Sequence, residues 1–177
     1  VGSEMCIRDR SNCAIEPEIK DLSNFLCSIG AKIVWTGRRQ VKIIGVKTFK
    51  QSNYKIMFDR IEAGTMLIAG AINQGNLKIT GIESSILKTE IDLLKKIGAK
   101  INQKKNEIIV KGNKKIKNIN IKTSPYPGVA TDIQAQLMVL MTQANGLSKI
   151  SENIFENRFM HVPELKRMGA KIKIKNK

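Results

Sequence analysis

The sequence is poor in the residues that build metal centres and nucleophilic sites. Its 177 residues include one His and three Cys, and none of these lie at the spacing of a zinc site. Cys13 and Cys27 are expected to be small buried apolar residues rather than nucleophiles. The first residues lack the apolar run of a secretory signal, and thiols outside the secretory route stay reduced. We therefore predict a cytoplasmic protein that holds no metal and no cofactor.

Aromatic and acidic residues are also scarce. The chain has five Phe, two Tyr and one Trp, and 31 basic residues against 15 acidic ones give a net charge of +16. Such a charge raises nucleic acid or an anionic surface as a partner. However, the aromatic residues do not interleave with the basic ones, as stacking on single strands requires. We predict a solvated Lys surface and no nucleic-acid partner, with a basic nucleic-acid-binding repeat protein as the alternative.

Long hydrophobic runs are missing as well. Residues 66–72 form one of the longest apolar runs, and a membrane-spanning helix needs about 20 such residues. The hydrophobic content of 42% is ordinary for a globular protein, and the length suits one sizeable domain or two small ones. These features predict a protein that does not enter a membrane.

A ten-residue stretch, VGSEMCIRDR, opens the chain and joins poorly to the pattern that follows. It has neither apolar periodicity nor a Gly or Pro stop. A nucleotide string that encodes all ten residues, once one purine completes its last codon, resembles the transposase adapter used for shotgun sequencing libraries. We expect residues 1–10 to be adapter read-through that packs against nothing, so that the protein's own sequence begins at Ser11. A frayed native N-terminus is the alternative.

The rest of the chain repeats itself. Three segments each predict an amphipathic helix that ends at a Gly, followed by Ala-Lys-Ile and alternating residues. The glycines are Gly30, Gly98 and Gly169, so the steps are 68 (98 − 30) and 71 (169 − 98) residues. Gly suits the left-handed conformation that ends a helix. Pro17 and Pro163 suit the first helical turn, where a missing N–H costs little.

A second type of helix lies between these segments. DRIEAGTMLIAGAINQG and TDIQAQLMVLMTQANG are rich in small and apolar residues and should be buried. Asp59 with Glu62, and Thr131 with Gln134, have the spacing of capping boxes. A short strand should follow each helix. The repeating unit is therefore strand, helix, strand, helix, strand, strand, and units of about 70 residues stack around a shared core.

Three motifs carry a resemblance to a known family: DRIEAGT, SPYPGVATDIQAQ and FENRFMHVPEL. Together they resemble the enolpyruvyl transferases, in the branch that acts on UDP-N-acetylglucosamine. The resemblance implies an α/β fold, an inside-out α/β barrel of repeated βαβαββ units, here truncated at both ends. It implies that residues 11–57 are the last repeat of the first domain. Residues 58–177 would be the second domain, with one full repeat and part of the next.

The same resemblance implies an activity. The family moves the enolpyruvyl group of phosphoenolpyruvate to the 3-hydroxyl of UDP-N-acetylglucosamine and releases phosphate, which is the first committed step of peptidoglycan synthesis. These two substrates, and the missing remainder of its own chain, are then the expected partners. The catalytic loop would lie in that remainder, so this chain alone should be inactive. A relative that acts on shikimate 3-phosphate is the alternative within the family.

The family's substrate contacts can be carried over by motif position. Asp132 matches the carboxylate that contacts the sugar 3-hydroxyl and is thought to take its proton; its alternative role is to stabilise a helix N-terminus. Ile154 matches a position whose main chain contacts the UDP-sugar. From the sequence pattern alone, Ile154 would be a residue of a strand core.

Arginine at two motif positions fits the other substrate. Arg158 matches an Arg that faces phosphoenolpyruvate, whose phosphate and carboxylate suit a forked guanidinium better than a Lys. Arg60 is a second candidate for substrate binding, with a structural ion pair as its alternative. Asp59 and Glu62 are expected to cap a helix, and His161 to pack rather than to act as a base or ligand.

Overall fold

The structure is a computed structural model and describes residues 6–175. The chain divides into two compact units, residues 1–57 and residues 58–177. That the first unit is the last repeat of one family domain, and the second the beginning of another, stays a prediction.

The first unit is one helix beside a three-stranded antiparallel sheet. Its elements are β1 (Ile7–Arg10), α1 (Pro17–Ser28), β2 (Lys32–Gly37) and β3 (Gln40–Ile44), and the strand order is β1-β3-β2. Pro17 occupies the first turn of α1, as predicted. Gly30 follows the helix with a φ of +106°, which confirms the predicted left-handed end.

The strand at the start of the chain corrects one expectation. Residues 7–10 pair with β3, with Ile7 opposite Ile44 and Arg10 opposite Val41, and the Gly45 N–H donates to the Cys6 carbonyl at 3.0 Å. The expectation that this stretch packs against nothing is therefore wrong for these residues. All four side chains are exposed, so the contact is made by the main chain, which an open strand edge accepts from almost any sequence. Adapter origin stays a prediction, and residues 1–5 lie outside the described residues.

The small first unit covers its apolar residues only in part. No residue of α1 is fully buried, and the Phe25 ring makes an edge contact with the Tyr54 ring at 5.6 Å between centroids. Cys13 is half-buried and Cys27 is exposed, so the expectation of two buried thiols is wrong. A helix against a single small sheet hides only one side of itself, and the Cys27 side chain is exposed.

The second unit begins with a helix laid on another antiparallel sheet. Its first elements are α2 (Arg60–Ile72), β4 (Asn76–Thr80), a 3₁₀ turn (Ser84–Leu87), α3 (Lys88–Lys96), β5 (Lys100–Lys104) and β6 (Glu107–Lys111). The strand order is β4-β6-β5. Ile108 and Val110 of the central strand are fully buried, which confirms the predicted alternation.

A parallel strand pair follows, and it positions the site. Strand β7 (Ile121–Lys122) pairs in parallel with β8 (Ile150–Ser151), and α4 (Gln134–Thr142) lies in the connection between them. Helix α5 (Val162–Arg167) comes after β8. Parallel strands end at the same edge of a sheet. The residues that follow β7 and β8 therefore lie side by side.

The core of the second unit confirms that α2 and α4 are buried helices. Its side chains with 2% exposure or less include Leu67, Leu87, Ile91, Leu94, Ile108, Val110, Ile133, Leu137 and Leu140. Within residues 6–175, no helix is both long and apolar enough to cross a membrane.

Most of the predictions about helix ends are confirmed, and one is wrong. Gly98 and Gly169 have φ values of +107° and +97°, as the repeat predicts. Asp59 caps α2, since its carboxylate accepts from the N–H groups of Ile61 at 2.7 Å and Glu62 at 3.2 Å. The predicted T-x-x-Q capping box is wrong: Thr131 lies inside a 3₁₀ turn (Thr131–Ile133) that precedes α4.

The third repeat is less regular than the first two. Each of the first two has a helix, a glycine and then a strand pair, α1 with β2 and β3, and α3 with β5 and β6. After Gly169, residues 171–175 alternate in sequence but form no strand. Alternation alone does not make a strand, which needs a partner for its main-chain hydrogen bonds.

Candidate functional site

Two segments that are distant in sequence meet where β7 and β8 end. One carries Asp132 in the 3₁₀ turn before α4, and the other carries Arg158 in the loop after β8. A distance of 3.7 Å separates Asp132 Oδ1 from Arg158 Nη1, and the side chains are 54% and 42% exposed. The structure thus brings together two residues that the sequence analysis selected, although they are 26 positions apart (158 − 132) in the sequence.

The ion pair between Asp132 and Arg158 is exposed enough that both charged groups remain available to a ligand. An ion pair this exposed contributes only about 0–1 kcal/mol to stability, because water screens it. The Arg158 guanidinium also lies 5.0 Å from the centroid of the Phe155 ring, within the range of a cation–π contact. The ring therefore helps to orient the guanidinium beside the carboxylate, and both groups can still contact a ligand.

Glu152 connects the segments on which these residues lie. Its Oε1 accepts from the Thr123 hydroxyl and the Ile154 N–H, both at 2.8 Å, and from the Phe155 N–H at 3.3 Å. Its Oε2 accepts from the Thr131 hydroxyl at 2.9 Å. Partial burial by itself would raise the pKa of this carboxyl, but the four donors outweigh it and the pKa is lowered.

Thr123 belongs to the same hydrogen-bond network as Glu152. Its side chain is completely buried just after β7, and its hydroxyl accepts from the Asn153 N–H at 3.0 Å while it donates to Glu152. Ile154 is half-buried and lies three residues beyond β8, so it is not the strand-core residue that its pattern alone predicts. Its main-chain position is set by the Glu152 carboxylate instead.

Arg60 has a different environment from Arg158. It is only 8% exposed, and its Cζ lies 5.5 Å from the centroid of the Tyr126 ring. The nearby Glu90 is 5% exposed; burial raises the pKa of its carboxyl, and the positive charge of Arg60 opposes that rise. A buried guanidinium that contacts a ring and offsets the charge of a buried carboxyl favours the structural alternative for Arg60.

The Pro/Gly loop before Asp132 is held in place from two sides. The Thr89 hydroxyl of α3 donates to the Pro127 carbonyl, and the Ser124 N–H donates to the Val129 carbonyl at 3.0 Å. Any Cβ at Gly128 would collide with the Ser124 hydroxyl. The loop therefore delivers the chain into the Asp132 turn with little freedom.

His161 fits the packing role predicted for it. Its ring is partly buried, and its Nε2 has no hydrogen-bond partner in the described part of the chain. Burial lowers the pKa of the imidazole. Residues 6–175 contain no group of three or more His, Cys, Asp and Glu residues that could hold a metal ion.

Glu152, Thr123 and Glu90 are the polar residues of this region that sequence reasoning missed. Each has a partner far away in sequence; Thr123 and Glu152, for example, are 29 positions apart. In the sequence, Thr123 and Glu152 each come directly after a short β segment. That position indicates a contact between them only if the two segments are known to pair in parallel.

Comparison with known proteins now decides the family. The family model described as EPSP synthase (3-phosphoshikimate 1-carboxyvinyltransferase) matches residues 4–177. The chain belongs to the EPSP synthase family. The family match covers nearly the whole chain and includes every residue of the Asp132–Arg158 site.

Two curated proteins of similar sequence carry the name UDP-N-acetylglucosamine 1-carboxyvinyltransferase. A UDP-N-acetylglucosamine 1-carboxyvinyltransferase of Pelagibacter ubique (strain HTCC1062) is 66% identical over 164 residues, which are 93% of this chain and 39% of the relative. The protein named UDP-N-acetylglucosamine 1-carboxyvinyltransferase 2 of Clostridium tetani (strain Massachusetts / E88) is 50% identical over 92% of this chain and 39% of the relative. The chain thus spans about two fifths of the length of these relatives.

The fold agrees with the family. The crystal structure of the enolpyruvyl transferase NikO from Streptomyces tendae matches with a TM-score of 0.82 and 26% identity, over 92% of this chain and 39% of that one. The chain therefore has an enolpyruvyl transferase fold of mixed α/β content, which confirms the predicted fold class.

Proposed function

We propose that this chain is part of a transferase that moves the enolpyruvyl group of phosphoenolpyruvate to the 3-hydroxyl of UDP-N-acetylglucosamine. The 66% identity to a relative of that name carries the proposal. The pairing of Asp132 with Arg158 supports it, because the two residues that the family resemblance assigns to different substrates lie 3.7 Å apart.

The two side chains suit the two halves of this reaction. The sugar oxygen bonds to C2 of phosphoenolpyruvate, phosphate leaves, and the hydroxyl proton is given up. Asp132 is an acceptor for that proton, and Arg158 offers forked donors to the anionic groups of phosphoenolpyruvate. The Ile154 main chain is assigned to the UDP-sugar. Arg60 is kept as a residue that supports the loop before Asp132 through Tyr126.

One alternative within the family is supported by a specific observation. The matching family model carries the name of the enzyme that uses shikimate 3-phosphate as acceptor. The motif FENRFMHVPEL favours the UDP-sugar branch, and so do the names of the relatives that are 66% and 50% identical. The choice of acceptor therefore separates the two functions.

The wider role follows from the proposed reaction. Its product would be a precursor of peptidoglycan, so the protein would serve cell-wall biogenesis, cell shape and division. A cytoplasmic setting is part of the proposal, and the three free Cys residues suit a reducing compartment.

The test uses a complete enzyme that contains this chain. Residues 11–177 replace the matching segment of the Pelagibacter ubique relative, and phosphate release from phosphoenolpyruvate is measured with each acceptor. We expect turnover with UDP-N-acetylglucosamine and none with shikimate 3-phosphate. The reverse preference would overturn the proposal. The 177-residue chain alone should release no phosphate, because it spans only 39% of the relative.

A further inference from the structure

We propose that Glu152 is a positioning residue of this site. It touches neither reacting group but fixes the loop of Ile154 and Arg158 relative to Asp132. We call the hydrogen bonds of Glu152 to Thr123, Thr131, Ile154 and Phe155 the clamp. The existence of the clamp rests on the geometry alone, and its effect on catalysis rests on the proposed function.

The two oxygens of Glu152 contact different segments. Oε1 accepts from the end of β7, through Thr123, and from the N–H groups of Ile154 and Phe155 in its own loop. Oε2 accepts from Thr131, the residue directly before Asp132. One carboxylate therefore joins the segment that carries the proton acceptor to the segment that carries the main-chain and guanidinium contacts.

The hydrogen-bond donors around Glu152 explain why an ionised carboxylate suits this position. Four donors face Glu152, and an ionised carboxylate offers acceptor sites on both oxygens for all of them. Gln would keep one accepting oxygen and turn an amide N–H₂ towards a donor. Hydrogen bonds to a charged group are stronger than neutral ones, so the clamp resists opening of the loop.

The position of Glu152 separates it from the catalytic residues. Asp132 and Arg158 are exposed, whereas Glu152 is half-buried and both of its oxygens are occupied. A misplacement of about 1 Å costs catalysis roughly a hundredfold when two groups must meet. A residue that sets the separation of the two segments therefore affects the rate without contact with substrate.

The clamp itself is tested in the 177-residue chain by amide hydrogen exchange. Glu152→Ala should lower the protection of the Ile154 and Phe155 amides by about tenfold or more, the scale of a lost charge-assisted hydrogen bond. The amide of Leu140, in the middle of α4, should keep its protection. Glu156→Ala, which removes an exposed acid from the same loop, is the matched control. Unchanged exchange at both loop amides in Glu152→Ala would overturn the proposal.

A milder variant covers the case in which Glu152→Ala does not fold. Thr131→Val keeps the size of the side chain and removes only the bond to Oε2. It should increase the exchange of the Ile154 amide relative to the unmutated chain, and leave the core amides unchanged. An effect confined to α4, with none in the loop, would show that the two segments are not coupled through Glu152.

The catalytic arm uses the chimera described above. Glu152→Ala should lower kcat/KM for both substrates by about tenfold or more and raise the KM of the UDP-sugar, with partial recovery in Glu152→Gln. Loss of folded enzyme alone would lower kcat and leave both KM values unchanged, which would contradict positioning. If the unmutated chimera is inactive, the proposed function fails, and the exchange measurements still decide whether the clamp exists.

Discussion

The Gln136 side chain donates a hydrogen bond to the Thr65 hydroxyl at 3.0 Å, across 71 residues. Thr65 lies in α2 and Gln136 lies in α4. This hydrogen bond therefore joins the two buried helices of the second unit. This polar contact lies beside the apolar core that the two helices share.

Thr65→Val should destabilise the second unit. Val has the shape of Thr but cannot accept from Gln136, whose buried Oε1 already has no hydrogen-bond partner among residues 6–175. Leaving a buried donor unsatisfied costs about 1–3 kcal/mol. Urea unfolding of the 177-residue chain gives the free energy. The double variant Thr65→Val with Gln136→Leu should recover much of the loss, and an additive loss would contradict this account.

Two glycines of α2 should respond in opposite ways to Ala. A Cβ at Gly70 would lie 2.6 Å from Val110 Cγ1 and 3.1 Å from Leu77 Cβ, so Gly70→Ala should cost about 1–3 kcal/mol through overpacking. A Cβ at Gly64 would meet its nearest atom at 3.7 Å, and Gly64→Ala should gain up to about 1 kcal/mol from helix propensity. Melting temperatures of the two variants provide the comparison. Equal shifts in the same direction would contradict it.

Asp132→Asn in the chimera should reduce turnover by about a hundredfold or more. The amide keeps the shape of the side chain but cannot accept the hydroxyl proton. Phosphate release is the assay, and binding of UDP-N-acetylglucosamine should change far less. Asp92→Asn is the control, because Asp92 is also an exposed acid paired to a basic side chain, at 2.8 Å from Lys88. If Asp132→Asn turns over normally and only melts earlier, Asp132 is a structural residue.

Arg158→Lys should weaken the use of phosphoenolpyruvate. A Lys ammonium cannot reproduce the fork that binds two oxygens of one anion, and it also loses planar contact with the Phe155 ring. We expect the KM for phosphoenolpyruvate to rise about tenfold, a scale set by one lost charge-assisted hydrogen bond. Arg167→Lys, in the exposed pair with Glu164, serves as the matched substitution and should leave KM unchanged.

Stability should depend on pH through Glu152. Its carboxyl has a pKa below the ordinary value because the hydrogen bonds outweigh burial, so its ionised form stabilises the fold above the unfolded pKa. That contribution is lost as pH falls through the folded pKa. Wild type and Glu152→Gln should therefore differ most near neutral pH and converge in acid, as urea unfolding at several pH values would show. A constant difference across the series would contradict the assignment.

The contribution of Glu90 to stability should depend on pH in the direction opposite to that of Glu152. Burial raises the pKa of its carboxyl, so its contribution is present below the unfolded pKa and is lost as pH rises through the folded pKa. Glu90→Gln should remove a dependence that runs against that of Glu152. Both variants belong in the same pH series.

The sequence predicts those parts of the fold that depend on local chemistry. Pro17 in the first turn of α1, the Asp59 cap and the left-handed glycines are all in place, because each acts on neighbouring main-chain groups. The buried character of α2 and α4 also follows from composition. These features need no knowledge of which segments meet.

What the sequence could not predict depends on distant partners. Thr131 has the spacing of a cap, yet it lies inside a 3₁₀ turn, and its hydroxyl donates to the Glu152 carboxylate 21 positions away. Strand β1 forms because the edge of β3 is open, whatever side chains Ile7–Arg10 carry. The proximity of Asp132 and Arg158 follows from family resemblance, while the Glu152 contacts behind it require the parallel pairing of β7 and β8.

Because β7 and β8 are short, the effect of an insertion in this region should depend on where it is placed. Only two residues of each strand are paired, Ile121 with Ile150 and Lys122 with Ser151. A shift by one residue would turn Glu152 to the opposite face and break its contacts with both Thr side chains. Insertions should therefore be harmful between Ser151 and Ile154. They should be accepted near Leu147, whose side chain is 88% exposed, and a circular permutant or inserted tag would best be placed there.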